Sequence, residues 1–133
     1  MDYLIAFLIQ WLVLNTDITI KETPDVVISS TQELSTKFGS PVWALYDHKT
    51  STIYLSTDVD LNTVAGVSVL LHELVHHHQN ESGLIEKYSC LRESEKLAYN
   101  TQKKFLKSLN YDVSSFKELS AFNIVVKSLC TLY

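Results

Sequence analysis

Residues 64–79, VAGVSVLLHELVHHHQ, limit the fold of this chain more than any other segment. The run is rich in Val and Leu and reads as a long helix that must be buried. Set inside it is His72-Glu73-Leu74-Val75-His76. Burying two imidazoles and a carboxylate is costly unless a cation or a donor meets them. On an α-helix, positions i and i+4 share one face, so His72 and His76 can reach the same Zn²⁺ from adjacent turns. Glu73, beside the first histidine, is then placed to take a proton from a metal-bound water. A bare H-E-x-x-H pattern also arises by chance in unrelated helices, and a polar helix face is the alternative. The apolar setting favours the metal.

At 133 residues the chain is expected to form a single domain, 1–133, with room for a proper core. Apolar residues make up 46% and charged residues 20%, which suits a globular protein rather than a disordered tail. A net charge of −4 with 11 scattered Lys and Arg leaves no basic footprint for nucleic acid. Residues 3–14, YLIAFLIQWLVL, are apolar on nearly every side, which suggests a membrane segment or a deeply buried helix. Twelve residues fall short of the roughly 20 that span a bilayer. Asp2 is the only early charge, so no basic n-region of an export signal precedes the run. A structural first helix is the expectation.

Further along, Thr23-Pro24 breaks the chain and Asp25-Val26-Val27-Ile28-Ser29 reads as a short strand. Ser30 with Glu33 three residues on makes a capping box for a short helix that Gly39 ends. Val42-Trp43-Ala44-Leu45-Tyr46 and Thr52-Ile53-Tyr54-Leu55-Ser56 read as an antiparallel hairpin. Glu81-Ser82-Gly83 closes the long helix. A third helix is predicted over about residues 90–109, and a fourth over about 115–129 with Ser115 and Glu118 as a capping box. The sum is an α+β fold: a small antiparallel sheet, made of a short strand plus a hairpin, packed on the H-E-x-x-H helix and further long helices.

A catalytic zinc takes three protein ligands and keeps one open position. Candidates for the third are Glu86, Glu93 and Glu95. The apolar stripe of the predicted third helix runs Tyr88, Leu91, Ala98, Gln102, Phe105 and Leu109. Glu95 falls on that stripe, between Leu91 and Ala98. Glu93 lies about 200° around the axis from it, beside Lys96 and Asn100. A core-facing carboxylate needs a cation, and zinc is one; a salt bridge to a core-edge Lys or Arg is the alternative. Glu95 is therefore the expected ligand and Glu93 its rival.

With His72, Glu73, His76 and a downstream helical glutamate 95 − 76 = 19 positions on, the chain resembles a gluzincin metallopeptidase reduced to its minimum. It resembles more closely a family of small bacterial metallopeptidase-like proteins of unknown function. Leu71-His72-Glu73-Leu74-Val75-His76-His77 with Gln79 carries that resemblance, followed by Cys90, Glu95, Ala98, Tyr99 and Gln102. Trp11, Asn15 and Thr16 near the start and Ile53-Tyr54-Leu55 also fit. The resemblance implies one zinc at His72, His76 and Glu95, Glu73 as general base, and a first helix that belongs to the fold.

The remaining polar residues divide into candidates and bystanders. Tyr99, four residues past Glu95, is expected either to stabilise an oxyanion at the site edge or to be a core tyrosine. His77 and His78 are rotated about 100° and 200° from His76, off the metal face. Both read as exposed or core-edge residues, with substrate or metal-shell contact the alternative for His77. His48 reads as a solvated loop residue. Residues 52–56 are the candidate edge strand for binding extended substrate by β-addition. Cys90 and Cys130 are either two buried thiols or a disulfide, and only the latter implies an oxidising compartment. Without that bridge, the missing n-region points to the cytoplasm. The expected activity is zinc-dependent hydrolysis of a peptide or protein, with a zinc amidase sharing the mechanism. The alternative is a zinc-stabilised binding or regulatory domain without turnover, in which His77 or Cys90 would close the site as a fourth ligand.

Overall fold

In the computed structural model, which describes residues 1–130, the order of elements follows the sequence pattern closely at the first half of the chain. Helix α1 spans Asp2–Asn15, strand β1 Asp25–Ser29 and helix α2 Thr31–Phe38. Strands β2 (Ala44–Asp47) and β3 (Thr52–Ser56) form the hairpin, and helix α3 runs Val64–Glu81. Helices α4 (Ser94–Ser108) and α5 (Ala121–Ser128) complete an α+β fold.

Local chemistry sets most of these boundaries. Ser30 Oγ accepts from the Glu33 amide at 3.1 Å, and Gly39 closes α2 in the left-handed region at φ 79°. Thr63 caps α3 by accepting from the Gly66 amide at 3.0 Å. Gly66 itself is required by a close approach: a Cβ there would stand 1.9 Å from the Asp60 carbonyl oxygen. Gly66→Ala is therefore expected to cost about 2–3 kcal/mol or more, read as a lower urea midpoint at unchanged slope.

The sheet order is β1-β3-β2. The hairpin is antiparallel, with Leu45 opposite Tyr54. β1 pairs with β3 in parallel, Val27 opposite Tyr54, because α2 carries the chain back before the hairpin begins. The sheet is thus mixed rather than wholly antiparallel. β3 is its centre and is buried along its whole length, so both of its edges are already paired. This corrects the expectation that residues 52–56 offer a free edge.

The core joins one face of α1 to the sheet and to the helix pair α3–α4. Ile5, Leu8 and Leu12 meet Ile53 and Leu55 of β3, Leu70, Leu71, Leu74 and Val75 of α3, and Ala98 and Phe105 of α4. Trp11 packs edge-on against Phe105 at 5.1 Å between ring centroids. The first helix is part of the fold, yet only one face of it is buried; Tyr3, Phe7 and Leu14 stay exposed. Among the described residues no helix is long and apolar enough to cross a membrane.

Departures are larger toward the C-terminus. α4 begins at Ser94, after a 3-10 turn at Leu91–Glu93, since Cys90 is extended at φ −157°. Leu91 and Leu109, both on the expected stripe, are therefore exposed, while Ala98, Gln102 and Phe105 are buried as that stripe requires. Ser115 does not cap a long helix. Asp112 accepts from the Ser114 amide and folds the segment into 3-10 turns, and Ser120 is the cap, accepting from the Asn123 amide at 3.2 Å. Cys90 and Cys130 form a disulfide across 40 positions. On the chain-entropy account, closing such a loop destabilises the unfolded state by about 4 kcal/mol.

Candidate metal centre

α3 and α4 lie against each other, and their facing sides bring three polar groups to one point. His72 and His76 project from adjacent turns of α3, and Glu95 from the first turn of α4. His72 Nε2 lies 3.4 Å from Glu95 Oε1, His76 Nε2 lies 2.5 Å from the same oxygen, and the two Nε2 atoms are 3.2 Å apart. Glu93 is elsewhere: it accepts from the Ser89 amide at 3.0 Å. Glu86 sits exposed in the turn after α3.

The donor set fits zinc. Tetrahedral bonds of about 2.0–2.1 Å place neighbouring ligand atoms about 3.3 Å apart. Two of the three separations match that edge. The third is a charge-assisted hydrogen bond from His76 to Glu95, whose proton holds the place a divalent cation would take. Electrostatics agree with this description. Burial opposes charge on His76, but the hydrogen bond to Glu95 and the charges of Glu73 and Glu95 outweigh it and raise the imidazole to about 9. Burial likewise pushes the Glu95 carboxyl up, and the two imidazoles overcome it, holding the group well below the usual carboxylate range.

A further layer of polar groups orients both rings. His72 Nδ1 donates to Gln102 Oε1 at 2.9 Å, and Gln102 Nε2 donates in turn to Ser68 Oγ at 3.1 Å. His76 Nδ1 donates to Gln79 Oε1 at 2.8 Å, and Gln79 Nε2 donates to the Ser94 carbonyl at 3.0 Å. An amide oxygen can only accept, so each Nδ1 must carry a proton and each Nε2 faces Glu95, the orientation a metal ligand would need. Sequence reasoning missed these roles. The available signals were Gln79 at i+3 from His76 and Gln102 on an otherwise apolar stripe. Gln102→Leu is expected to weaken zinc binding roughly 10- to 100-fold while leaving the fold intact, measured by competition with a chelating dye.

Glu73 is buried, yet it lines the same cavity as His72, His76 and Glu95. Burial raises its pKa, and the charges of His72 and His76 pull the other way. Tyr99 stacks edge-on to His72 at 4.5 Å and lines the same cavity. Burial, with the carboxylates of Glu95 and Glu73, pushes its phenol up to about 12, so it remains a hydrogen-bond donor at neutral pH. The cavity, about 420 Å³, is also bordered by Ala44, Leu45 and Tyr46 of β2. Trp43 O accepts from the Ser56 amide, so by alternation Ala44 and Tyr46 turn their N–H and C=O groups away from β3, toward the open edge. That edge, and not β3, runs beside the site.

The other histidines sort differently from one another. His77 is buried; its Nε2 donates to the Glu22 carbonyl at 2.6 Å and its Nδ1 accepts from the Tyr46 hydroxyl at 2.9 Å. His78 donates to the Thr19 carbonyl at 2.7 Å. Glu81 accepts from the Lys21 and Glu22 amides. Together these groups fasten the α1–β1 connection to α3, so His77 and His78 are structural ties away from the ligand cluster. His48, expected as a solvated loop residue, lines the cavity from the hairpin turn.

No curated protein and no solved structure matches the chain. One family model does, over residues 1–132. The chain thus belongs to the family described as a domain of unknown function, DUF6647.

Proposed function

We propose that this protein is a zinc-dependent hydrolase acting on peptide bonds. The observation that carries the reading is the meeting of His72 Nε2, His76 Nε2 and Glu95 Oε1 beside a buried Glu73 in an open cavity. When bound there, zinc would acidify a water and polarise the scissile carbonyl. Glu73 takes the proton from the attacking water as the C–O bond forms. It then delivers that proton to the amine nitrogen as the C–N bond breaks. The Tyr99 hydroxyl donates to the carbonyl oxygen while negative charge builds on it. The outward-facing amides and carbonyls of Ala44 and Tyr46 hold the substrate main chain as an added strand.

The rival reading, a zinc-stabilised domain without turnover, requires a fourth protein ligand. Among the described residues the cluster holds three. Both fourth-ligand candidates are engaged elsewhere, His77 with Glu22 and Tyr46 and Cys90 with Cys130. This favours an open coordination position. The test is incubation of the zinc-loaded protein with a mixture of unstructured peptides, followed by mass spectrometry. Cleavage that stops with chelator and returns with zinc is expected. A fully zinc-loaded protein that cleaves no peptide would leave the non-catalytic reading in its place.

A further inference from the structure

Among the described residues Arg92 is the only Lys or Arg lining the cavity that holds His72, Glu73, His76 and Glu95, with Lys127 Nζ 5.8 Å from the ring centroid of Tyr99 beside it. Its Nη2 donates to the Val126 carbonyl at 3.1 Å, which engages one side of the guanidinium. Among the described residues no carboxylate forms an ion pair with it. Its setting is also braced. Cys90, two residues before it, is bonded to Cys130, four residues after Val126, with the two Cα atoms 5.7 Å apart. The disulfide thus joins the turn that carries the guanidinium to the end of α5 that steers it. Arg92 is exposed and only one side of its guanidinium is engaged, so the rest of the fork is open to an anionic partner from outside. Its planar fork suits a carboxylate, which can accept two parallel N–H bonds.

Building on the peptidase reading, we infer that Arg92 anchors the C-terminal carboxylate of the substrate. The substrate class is then short peptides cleaved near a free C-terminus. A cavity of about 420 Å³ is at the small end of ligand sites, in keeping with a few residues rather than a long chain. The net charge of −4 disfavours the approach of anionic peptides in general, and a guanidinium beside the cleft offsets this locally for a carboxylate.

Binding can be read apart from turnover. Zinc-loaded Glu73→Gln protein is titrated by calorimetry with N-acetyl-trialanine as the free acid and as the C-terminal amide. The acid is expected to bind roughly 10- to 100-fold more tightly. Arg92→Gln should abolish that preference without weakening the amide, and Arg92→Lys should retain part of it. Equal binding of acid and amide, no binding of either, or a preference that survives Arg92→Gln would each overturn the inference. A purely structural Arg92 would change both ligands alike. Cleavage of amidated peptides by the wild type would leave the peptidase reading standing even then, whereas absence of all cleavage removes that reading.

Discussion

Glu95→Ala is expected to lower zinc affinity by about three orders of magnitude, while Glu93→Ala leaves it unchanged. Structural zinc sites bind with roughly 10–16 kcal/mol. Shared among three or four ligands, that is about 3–4 kcal/mol each, or close to a thousandfold in affinity. Glu95 Oε1 faces both imidazoles at 2.5 and 3.4 Å. The Glu93 carboxylate instead accepts from the Ser89 amide and closes a surface turn. Equilibrium dialysis of the two variants against a zinc buffer separates these roles. Equal loss of zinc in both would mean that the turn before α4, rather than one carboxylate, governs the site.

Glu73→Gln should keep its zinc and lose activity. Glu73 lies outside the ligand cluster but lines the cavity over it. Glutamine preserves the volume and removes the base, and general acid–base catalysis by a placed side chain contributes roughly 10²- to 10⁴-fold. The expected result is a fall of that size in kcat/KM with unchanged zinc content. A Glu73→Gln protein with full zinc and full activity would sink the proposed mechanism.

Much of the architecture was legible because it is written in local chemistry. β1 and β3 lie where their β-branched runs predict, and Ser30 with Glu33 marks the start of α2. The stripe argument turns Glu95, and not Glu93, toward His72 and His76 because α4 is regular from Ser94 onward, with Ala98, Gln102 and Phe105 buried on that side. It fails at Leu91 and Leu109, which lie outside that helix and face solvent.

The unreadable parts are long-range. Nothing local in Asp25–Ser29 says that it pairs in parallel with a strand beyond the hairpin, and hence that β3 is central and β2 is the edge. Ser115 and Glu118 satisfy the capping pattern, yet Asp112 competes for the chain and Ser120 becomes the cap. The disulfide, the amides of Gln79 and Gln102, and the place of Arg92 all depend on how α4 and α5 close on α3.

The most direct test of the metal centre is the zinc content of the purified protein by elemental analysis after dialysis against a zinc buffer and then against metal-free buffer. About one zinc per chain is the predicted result, since one cluster of three ligand atoms is present among the described residues. No retained zinc would contradict it, reducing His72, His76 and Glu95 to a buried ion pair between two helices.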